Sequence, residues 1–151
     1  MDKHAKYFMH IARTVAQLSN DWHTKVGAVF VKNDTVLSTG YNASPYNFDE
    51  SLIPTQNGNT LIDQKNTYMV HAELNALLNY TGCITDLQDS TVYVTICPCS
   101  QCAKMLAQLK VRKVIYLEDY HRIEETNAAK YIFKVCKIEC QKFDEGDNKW
   151  R

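Results

Sequence analysis

Five residues in the middle of the chain have the types and spacing of a metal site with a proton carrier beside it. His71 and Glu73 are two residues apart, and Cys99 and Cys102 are three residues apart, directly after Pro98. Cysteines three apart on a helix share a face, so both thiols can bind one ion. Pro98 favours a helix start at this point, where the positive end of the helix dipole stabilises thiolates.

The donor set predicts a catalytic zinc site. Two thiolates and one neutral imidazole cancel the charge of Zn²⁺, and three protein ligands (His71, Cys99 and Cys102) leave a fourth position open. Zinc in such a site lowers the pKa of bound water towards about 7 and supplies hydroxide at neutral pH. Glu73 is then the candidate proton carrier. Its side chain must curl back from the first turn, because positions 71 and 73 diverge by about 200° on a regular helix.

The two motifs are specific only in combination. A lone Cys-x-x-Cys pair is a weak signal, since two core cysteines would also produce it. A structural zinc knot would need a fourth protein ligand. The combination of His-x-Glu with Pro-Cys-x-x-Cys is known as the pattern of zinc-dependent nucleobase deaminases.

The elements that must position these residues follow from the apolar spacing. Helices are predicted over 3–18, His71–Tyr80, Ser100–Leu109 and 124–135, and strands over Gly27–Val31, Val36–Tyr41, Thr91–Val94, Val114–Leu117 and Ile138–Phe143. Asn33-Asp34 predicts a hairpin turn between the first two strands. Strand–helix–strand crossovers make neighbouring strands parallel, so the order predicts an α/β fold with a mixed sheet and helices on both faces.

Residues 43–66 form a polar segment with Pro45, Pro54, Gly58 and six Asn or Gln. A loop of this length inside a small domain is usually functional or mobile. Too little chain precedes it to form a separate core, so we predict one domain over residues 1–151.

Composition excludes several classes of protein. The 151 residues carry seventeen basic and seventeen acidic side chains, which argues against a binder of nucleic acid polymers. The sequence contains no run of eighteen apolar residues that would predict a membrane span, and no apolar secretory stretch follows Met1. A cytoplasmic location is therefore expected. In a reducing compartment disulfides are rare, and Cys83, Cys136 and Cys140 are predicted to be small buried residues.

The longer motifs carry a resemblance to a known family. His71–Ala76 and Pro98–Lys104 resemble the cytidine deaminase superfamily. Within it, three further stretches resemble the deoxycytidylate (dCMP) deaminases: Thr24–Ala28, Thr39–Asn42 and Val114–Tyr116. The likeness covers about residues 7–143 and implies a three-layer α/β/α sandwich around a five-stranded mixed sheet, with zinc at the N-termini of two helices. It also implies the hydrolysis of dCMP to dUMP and ammonia, which supplies thymidylate synthesis.

The resemblance further implies how substrate and metal are held. Asn42 would bind the deoxyribose hydroxyl or the base edge, and Tyr120 would contact the substrate near its phosphate. Lys25, two residues before a strand, is placed to reach a phosphate, although a solvated surface lysine is nearly as good an interpretation. Some phage members hold a second, structural zinc in their long insertion, but residues 43–66 contain neither Cys nor His. One Zn²⁺ per chain is therefore expected.

Relatives of this type are commonly hexamers that dCTP activates and dTTP inhibits, each bound with Mg²⁺. By this resemblance Asp21 would accept from a base edge of the effector, and Lys25 would serve its triphosphate instead of the substrate. The family commonly has Gly-Phe-Pro-Arg-Gly after the Asn, whereas this chain has Ala43–Asn47, which lacks the basic residue. The alternative to this regulation is a constitutive enzyme, whose activity neither dCTP nor dTTP changes.

Two other functions share the zinc motif. A polynucleotide-editing deaminase, acting on transfer RNA or single-stranded DNA, is disfavoured by the zero net charge and by the lack of a basic aromatic stripe. A non-catalytic zinc module would give Glu73 no role.

Overall fold

Five strands form one mixed sheet in the computed structural model, which describes residues 3–146. The strands are β1 (Gly27–Lys32), β2 (Thr35–Tyr41), β3 (Thr91–Ile96), β4 (Lys113–Glu118) and β5 (Glu139–Lys142). They lie in the order β2-β1-β3-β4-β5. Strand β1 is antiparallel to both β2 and β3, whereas β3, β4 and β5 run parallel. The C-terminal ends of β2, β3 and β4 therefore share one edge, which is where open α/β sheets bind ligands.

Helices cover both faces of the sheet, as the sequence predicts. They are α1 (Lys3–Ala16), α2 (Ala72–Asn79), α3 (Ser100–Gln108) and α4 (Ile123–Val135). Side chains alternate along each strand, so Val29 and Val31 pack against α1 while Ala28 and Phe30 pack on the opposite side with α2, α3 and α4. The α/β/α sandwich is thus confirmed. None of the helices within residues 3–146 is long and apolar enough to cross a bilayer.

The predicted hairpin forms at Asn33 and Asp34. Both residues have positive φ, at 51° and 56°, which is the backbone that a two-residue hairpin turn with matching twist requires. Element ends differ from the sequence-based limits by a few residues; the first helix, for example, ends at Ala16 instead of residue 18.

The prediction for three cysteines is corrected by the structure. Cys83 and Cys136 are exposed, and Cys140 is only partly buried. Cys83 precedes a short 3-10 helix (Ile84–Leu87), and Cys136 directly follows the last residue of α4. Both lie where the chain turns at the surface, so their small apolar side chains have no core to enter.

Helix α2, which begins at the site, is fixed against β2. A side chain at Gly40 would place its Cβ 2.5 Å from the Ala72 carbonyl oxygen and 2.7 Å from the Ala76 Cα, so glycine is what allows this close approach. The Asn75 amide donates to the Tyr41 carbonyl (2.8 Å), and the Ser38 hydroxyl donates to the Ala76 carbonyl (2.6 Å). The start of α2 is therefore held rigidly above the end of β2.

The polar segment 43–66 is an ordered cover at this edge of the sheet. It contains 3-10 turns at Glu50–Leu52 and Leu61–Asp63, and another begins at Lys65. A single bridge pairs Ala43 with Val70, which closes the base of the segment next to α2. The segment therefore returns to the edge of the sheet where β2 ends.

Candidate active site

Three metal-binding side chains meet where two helices begin. His71 is the N-cap of α2, Cys99 is the N-cap of α3, and Cys102 lies in the first turn of α3. The His71 Nδ1 lies 3.4 Å from the Cys99 sulfur and 3.6 Å from the Cys102 sulfur. All three donor atoms lie within 4.8 Å of one another, and no second group of this kind occurs in residues 3–146.

The geometry of this cluster fits zinc. Zn–S distances of about 2.3 Å and Zn–N distances of about 2.0–2.1 Å in a tetrahedral site separate a nitrogen donor from a sulfur donor by roughly 3.6 Å. The two Nδ1–Sγ distances, 3.4 and 3.6 Å, match that separation. Sulfur and imidazole donors are also the chemistry that zinc prefers. The three residues can therefore hold a zinc ion and leave room for a fourth, non-protein ligand.

The electrostatics of the cluster favour the thiolate form of Cys99. A hydrogen bond from the Cys102 thiol lowers the pKa of Cys99 to about 4; burial opposes this shift, and His71 and the Cys102 backbone N–H reinforce it. The pKa of Cys102 is raised because its thiol is the donor to Cys99 and is buried. The hydrogen bond with Cys99 likewise raises the pKa of His71, against the effect of burial. Binding of a metal ion would displace these shared protons.

Glu73 lies beside the cluster and is only 3% exposed. Burial raises the pKa of its carboxyl, and the neighbouring His71, the residue's own backbone N–H and the Cys102 thiol act in the opposite direction. Glu73 occupies the first turn of α2 and lines the same cavity as His71 and Cys99. A buried carboxyl with a raised pKa is suited to accept and release protons near neutral pH.

Glu125 supports the start of α3 and was not found from the sequence. Its carboxylate accepts from the Ser100 backbone N–H (2.8 Å), which holds down the pKa of Glu125. Glu125 thereby satisfies one of the free N–H groups at the helix terminus between Cys99 and Cys102. Its sequence position, near the start of a predicted helix on another element, carries no signal for this contact.

One cavity joins the cluster to the residues around it. Its lining includes His71, Glu73 and Cys99 together with Asn42 and Tyr120. Trp22, His23 and part of the polar segment also line it. A substrate in this cavity would therefore touch both the metal-binding residues and the cover formed by the polar segment.

Asn42 reaches the cavity with most of its amide already engaged. Its Oδ1 accepts from the Val26 backbone N–H (2.8 Å), and its Nδ2 donates to the Thr24 carbonyl (2.8 Å) and to Asp21 (3.4 Å). One acceptor position on Oδ1 remains for a ligand. Asn42 thus ties the end of β2 to the loop before β1 as well as facing the cavity.

Tyr120 and Lys25 differ in their positions. Tyr120 lines the cavity, its ring stacks on His121 with 4.6 Å between centroids, and burial raises the pKa of its hydroxyl. Lys25 is exposed and does not line the cavity. The structure therefore brings Asn42, Tyr120 and the metal-binding residues together and leaves Lys25 outside.

Asp21 is buried at the cavity wall with four donors on its carboxylate. The backbone N–H groups of His23 (2.8 Å) and Thr24 (3.0 Å) donate to it, as do Asn42 and the Lys65 ammonium. Burial raises the pKa of this carboxyl, but these donors outweigh it, so the pKa lies below its ordinary value. A nucleotide base edge would have to displace one of the four donors.

Lys65 is the cation that the sequence analysis missed. Among the cavity-lining residues within 3–146 it is the one lysine or arginine. It lies in the polar segment, where no apolar periodicity or motif marks it. The only sequence signal is the absence of any other basic residue between Lys32 and His71.

Comparison with known proteins identifies the class. The fold and the His/Cys/Cys cluster are those of zinc-binding deaminases. The family described as "Cytidine and deoxycytidylate deaminase zinc-binding region" matches residues 2–118, and the chain belongs to this cytidine and deoxycytidylate deaminase family.

The similar proteins include deoxycytidylate deaminases. The Mus musculus enzyme of that name is 36% identical over 141 residues, which cover 91% of this chain and 78% of the mouse chain. The Homo sapiens enzyme is 34% identical with the same coverage. A solved dCMP deaminase from the cyanophage S-TIM5, in complex with dCMP and dUMP, has a TM-score of 0.73 and 29% identity over 95% of this chain and 99% of that chain.

Proposed function

We propose that this protein is a zinc-dependent dCMP deaminase, which hydrolyses dCMP to dUMP and ammonia. The observation that carries the proposal is the buried Glu73 carboxyl beside the His71, Cys99 and Cys102 cluster, at the wall of one cavity. The similarity to deoxycytidylate deaminases over most of the chain supports the choice of substrate.

The proposed mechanism gives each residue of the cluster a separate task. His71, Cys99 and Cys102 would hold a zinc ion, which when bound would supply a water nucleophile at neutral pH for attack on C4 of cytosine. Glu73 would accept one proton of this water and deliver it to N3 of the ring. It would then take the remaining proton from the hydroxyl attached to C4 and pass it to the amino group, which leaves as ammonia as the C4 carbonyl forms. The burial of Glu73 favours these proton transfers, because it raises the pKa of the carboxyl towards neutral pH.

The remaining contacts are proposed for the sugar and phosphate. Asn42 offers its free Oδ1 position to the deoxyribose hydroxyl or base edge, and Tyr120 contacts the substrate near its phosphate. Lys25 is exposed outside the cavity, which favours contact with an effector's triphosphate over contact with the substrate.

Regulation is part of the proposal and rests on the resemblance. We propose a homohexamer of single-domain chains that Mg²⁺–dCTP activates and Mg²⁺–dTTP inhibits, with Asp21 and Lys25 at the effector site. Because four donors occupy the Asp21 carboxylate, an effector would act there by rearranging the loop before β1. Sigmoidal dCMP saturation that becomes hyperbolic with Mg²⁺–dCTP is the expected behaviour, whereas hyperbolic kinetics indifferent to both nucleotides would contradict it.

The experiment that tests the function compares three substrates. Ammonia release is measured from dCMP, deoxycytidine and a cytosine-containing single-stranded oligonucleotide, each with the zinc-loaded protein. The proposal expects dCMP to have the highest kcat/KM by at least about tenfold, as one charge-assisted phosphate contact would give. Equal use of deoxycytidine would favour a nucleoside deaminase, and preference for the oligonucleotide would favour a polynucleotide-editing enzyme; either result contradicts the proposal.

A further inference from the structure

We propose that Lys65 binds the substrate's 5′-phosphate and sets the preference for a nucleoside monophosphate over a nucleoside; this inference rests on the proposed deaminase function. The dCMP phosphate needs a cation that faces the cavity. Of the basic residues within the described part of the chain, Lys65 is the one lysine or arginine that lines it.

The ammonium of Lys65 is held in place before any ligand binds. Its Nζ lies 2.8 Å from each oxygen of the Asp21 carboxylate and 5.2 Å from the centroid of the Trp22 ring. Its own backbone N–H donates to the Asn57 side chain (3.2 Å), which fixes the other end of the residue. Lysine loses much rotamer freedom when it binds a ligand, so a side chain that is already ordered binds at a smaller entropic cost.

The ion pair with Asp21 leaves the Lys65 ammonium able to bind a phosphate. An ammonium has three N–H groups, and the two Asp21 oxygens engage at most two of them, so at least one remains for a ligand. The Asp21 side chain is only 3% exposed, whereas that of Lys65 is 16% exposed. The carboxylate also accepts from two backbone N–H groups and from Asn42, which offset part of its charge. The cation is therefore the member of the pair that a phosphate would meet.

The test separates phosphate binding from a purely structural ion pair. Lys65→Met removes the charge and keeps much of the side-chain length. Asp21→Asn leaves the ammonium and still offers it an oxygen acceptor. The double variant Asp21→Asn/Lys65→Met leaves no unpaired buried charge, so it tests the same point if Lys65→Met alone fails to fold. Lys134→Met, which changes an exposed lysine near the end of α4, is the matched control.

For each protein, kcat/KM is measured for dCMP and for deoxycytidine, and the affinities for dUMP and deoxyuridine are measured by calorimetry. In Lys65→Met and in the double variant we expect kcat/KM for dCMP to fall about tenfold to a hundredfold, the loss of one charge-assisted hydrogen bond. The loss should lie mainly in KM, deoxycytidine should stay within about twofold, and dUMP should lose its advantage over deoxyuridine. Asp21→Asn and Lys134→Met should keep the preference for the monophosphate.

Three outcomes would overturn the assignment. In the first, kcat/KM falls equally for dCMP and deoxycytidine in the Lys65 variants. In the second, Asp21→Asn loses the preference for dCMP as fully as Lys65→Met does. Either result would mean that the ion pair between Asp21 and Lys65 only holds the polar segment in place. An unchanged preference after removal of Lys65 would place the phosphate elsewhere while leaving dCMP deamination intact. If the unaltered protein neither binds dUMP nor deaminates dCMP, the proposed function fails together with this inference.

Discussion

Replacing Glu73 by glutamine isolates its proposed proton transfer from its role in packing. Glutamine has nearly the same volume, so it fills the space of a side chain that is only 3% exposed and leaves the start of α2 in place. The substitution also removes a buried carboxyl. Because burial raises the pKa of this carboxyl, its charged form does not stabilise the folded chain. We therefore expect the Glu73→Gln variant to fold and to keep its metal.

The expected loss of activity follows from the loss of one positioned acid–base group. Such a group contributes about 10²–10⁴-fold to the rate, and each tenfold corresponds to about 1.4 kcal/mol of transition-state stabilisation. Activity is measured as dUMP formed from dCMP, zinc content by elemental analysis, and folding by thermal unfolding. Glu124→Gln is the matched control, since Glu124 is 79% exposed in the first turn of α4.

The proposed role of Glu73 is supported only if activity is lost while the metal, the fold and ligand binding are retained. We expect kcat to fall at least a hundredfold, while zinc content, melting temperature and dUMP affinity stay close to those of the unaltered protein. A Glu73→Gln variant that keeps more than a tenth of its activity would refute the proton-transfer role. Loss of zinc together with activity would show instead that Glu73 maintains the metal site.

Three further predictions concern the metal, the fold and pH. Cys102→Ser should bind far less zinc than the unaltered protein in elemental analysis, because it removes one of three donors within 4.8 Å; undiminished zinc content would contradict this ligand set. Gly40→Ala should lower the free energy of unfolding by about 1–3 kcal/mol, because the added Cβ meets the backbone of α2 at Ala72, and backbone cannot move aside as a side chain can. An unchanged melting temperature would contradict this packing. The pKa of Asp21 is lowered in the folded chain, so the stability it contributes is present above about pH 4 and is lost as the pH falls through the folded-state pKa. The difference in unfolding free energy between the unaltered protein and Asp21→Asn should therefore shrink as the pH falls below about pH 4, and a difference that grows as the pH falls would contradict this sign.

Much of the fold could be predicted because its signals are local. Alternating strands and helices indicate an α/β sheet, and Asn33-Asp34 marks the hairpin through its tolerance of positive φ. The placement of β3 beside β1, and not beside β2, has no such signal. The chain between β2 and β3 contains the polar segment and α2, and packing alone decides on which side of the hairpin it returns.

The site shows the same division between local and long-range information. The spacing of His71, Cys99 and Cys102 indicates a shared metal because helix geometry fixes which side chains face one another. Lys65 could not be predicted, since its position depends on how a segment without periodicity folds back onto Asp21. Asp21 itself was predicted to face an effector, and the structure occupies its carboxylate with contacts that form only when three distant stretches of chain meet.

A zinc titration of the metal-free protein, with dCMP as substrate, tests whether the ion held by His71, Cys99 and Cys102 is required for deamination. The protein is stripped with a chelator, zinc is returned in increments, and dUMP is quantified by chromatography at each step. We expect no dUMP without metal, and activity that rises linearly and stops at about one zinc per chain, as three protein ligands with an open position require. Full activity in the stripped protein, or no dUMP at any zinc content, would contradict this expectation.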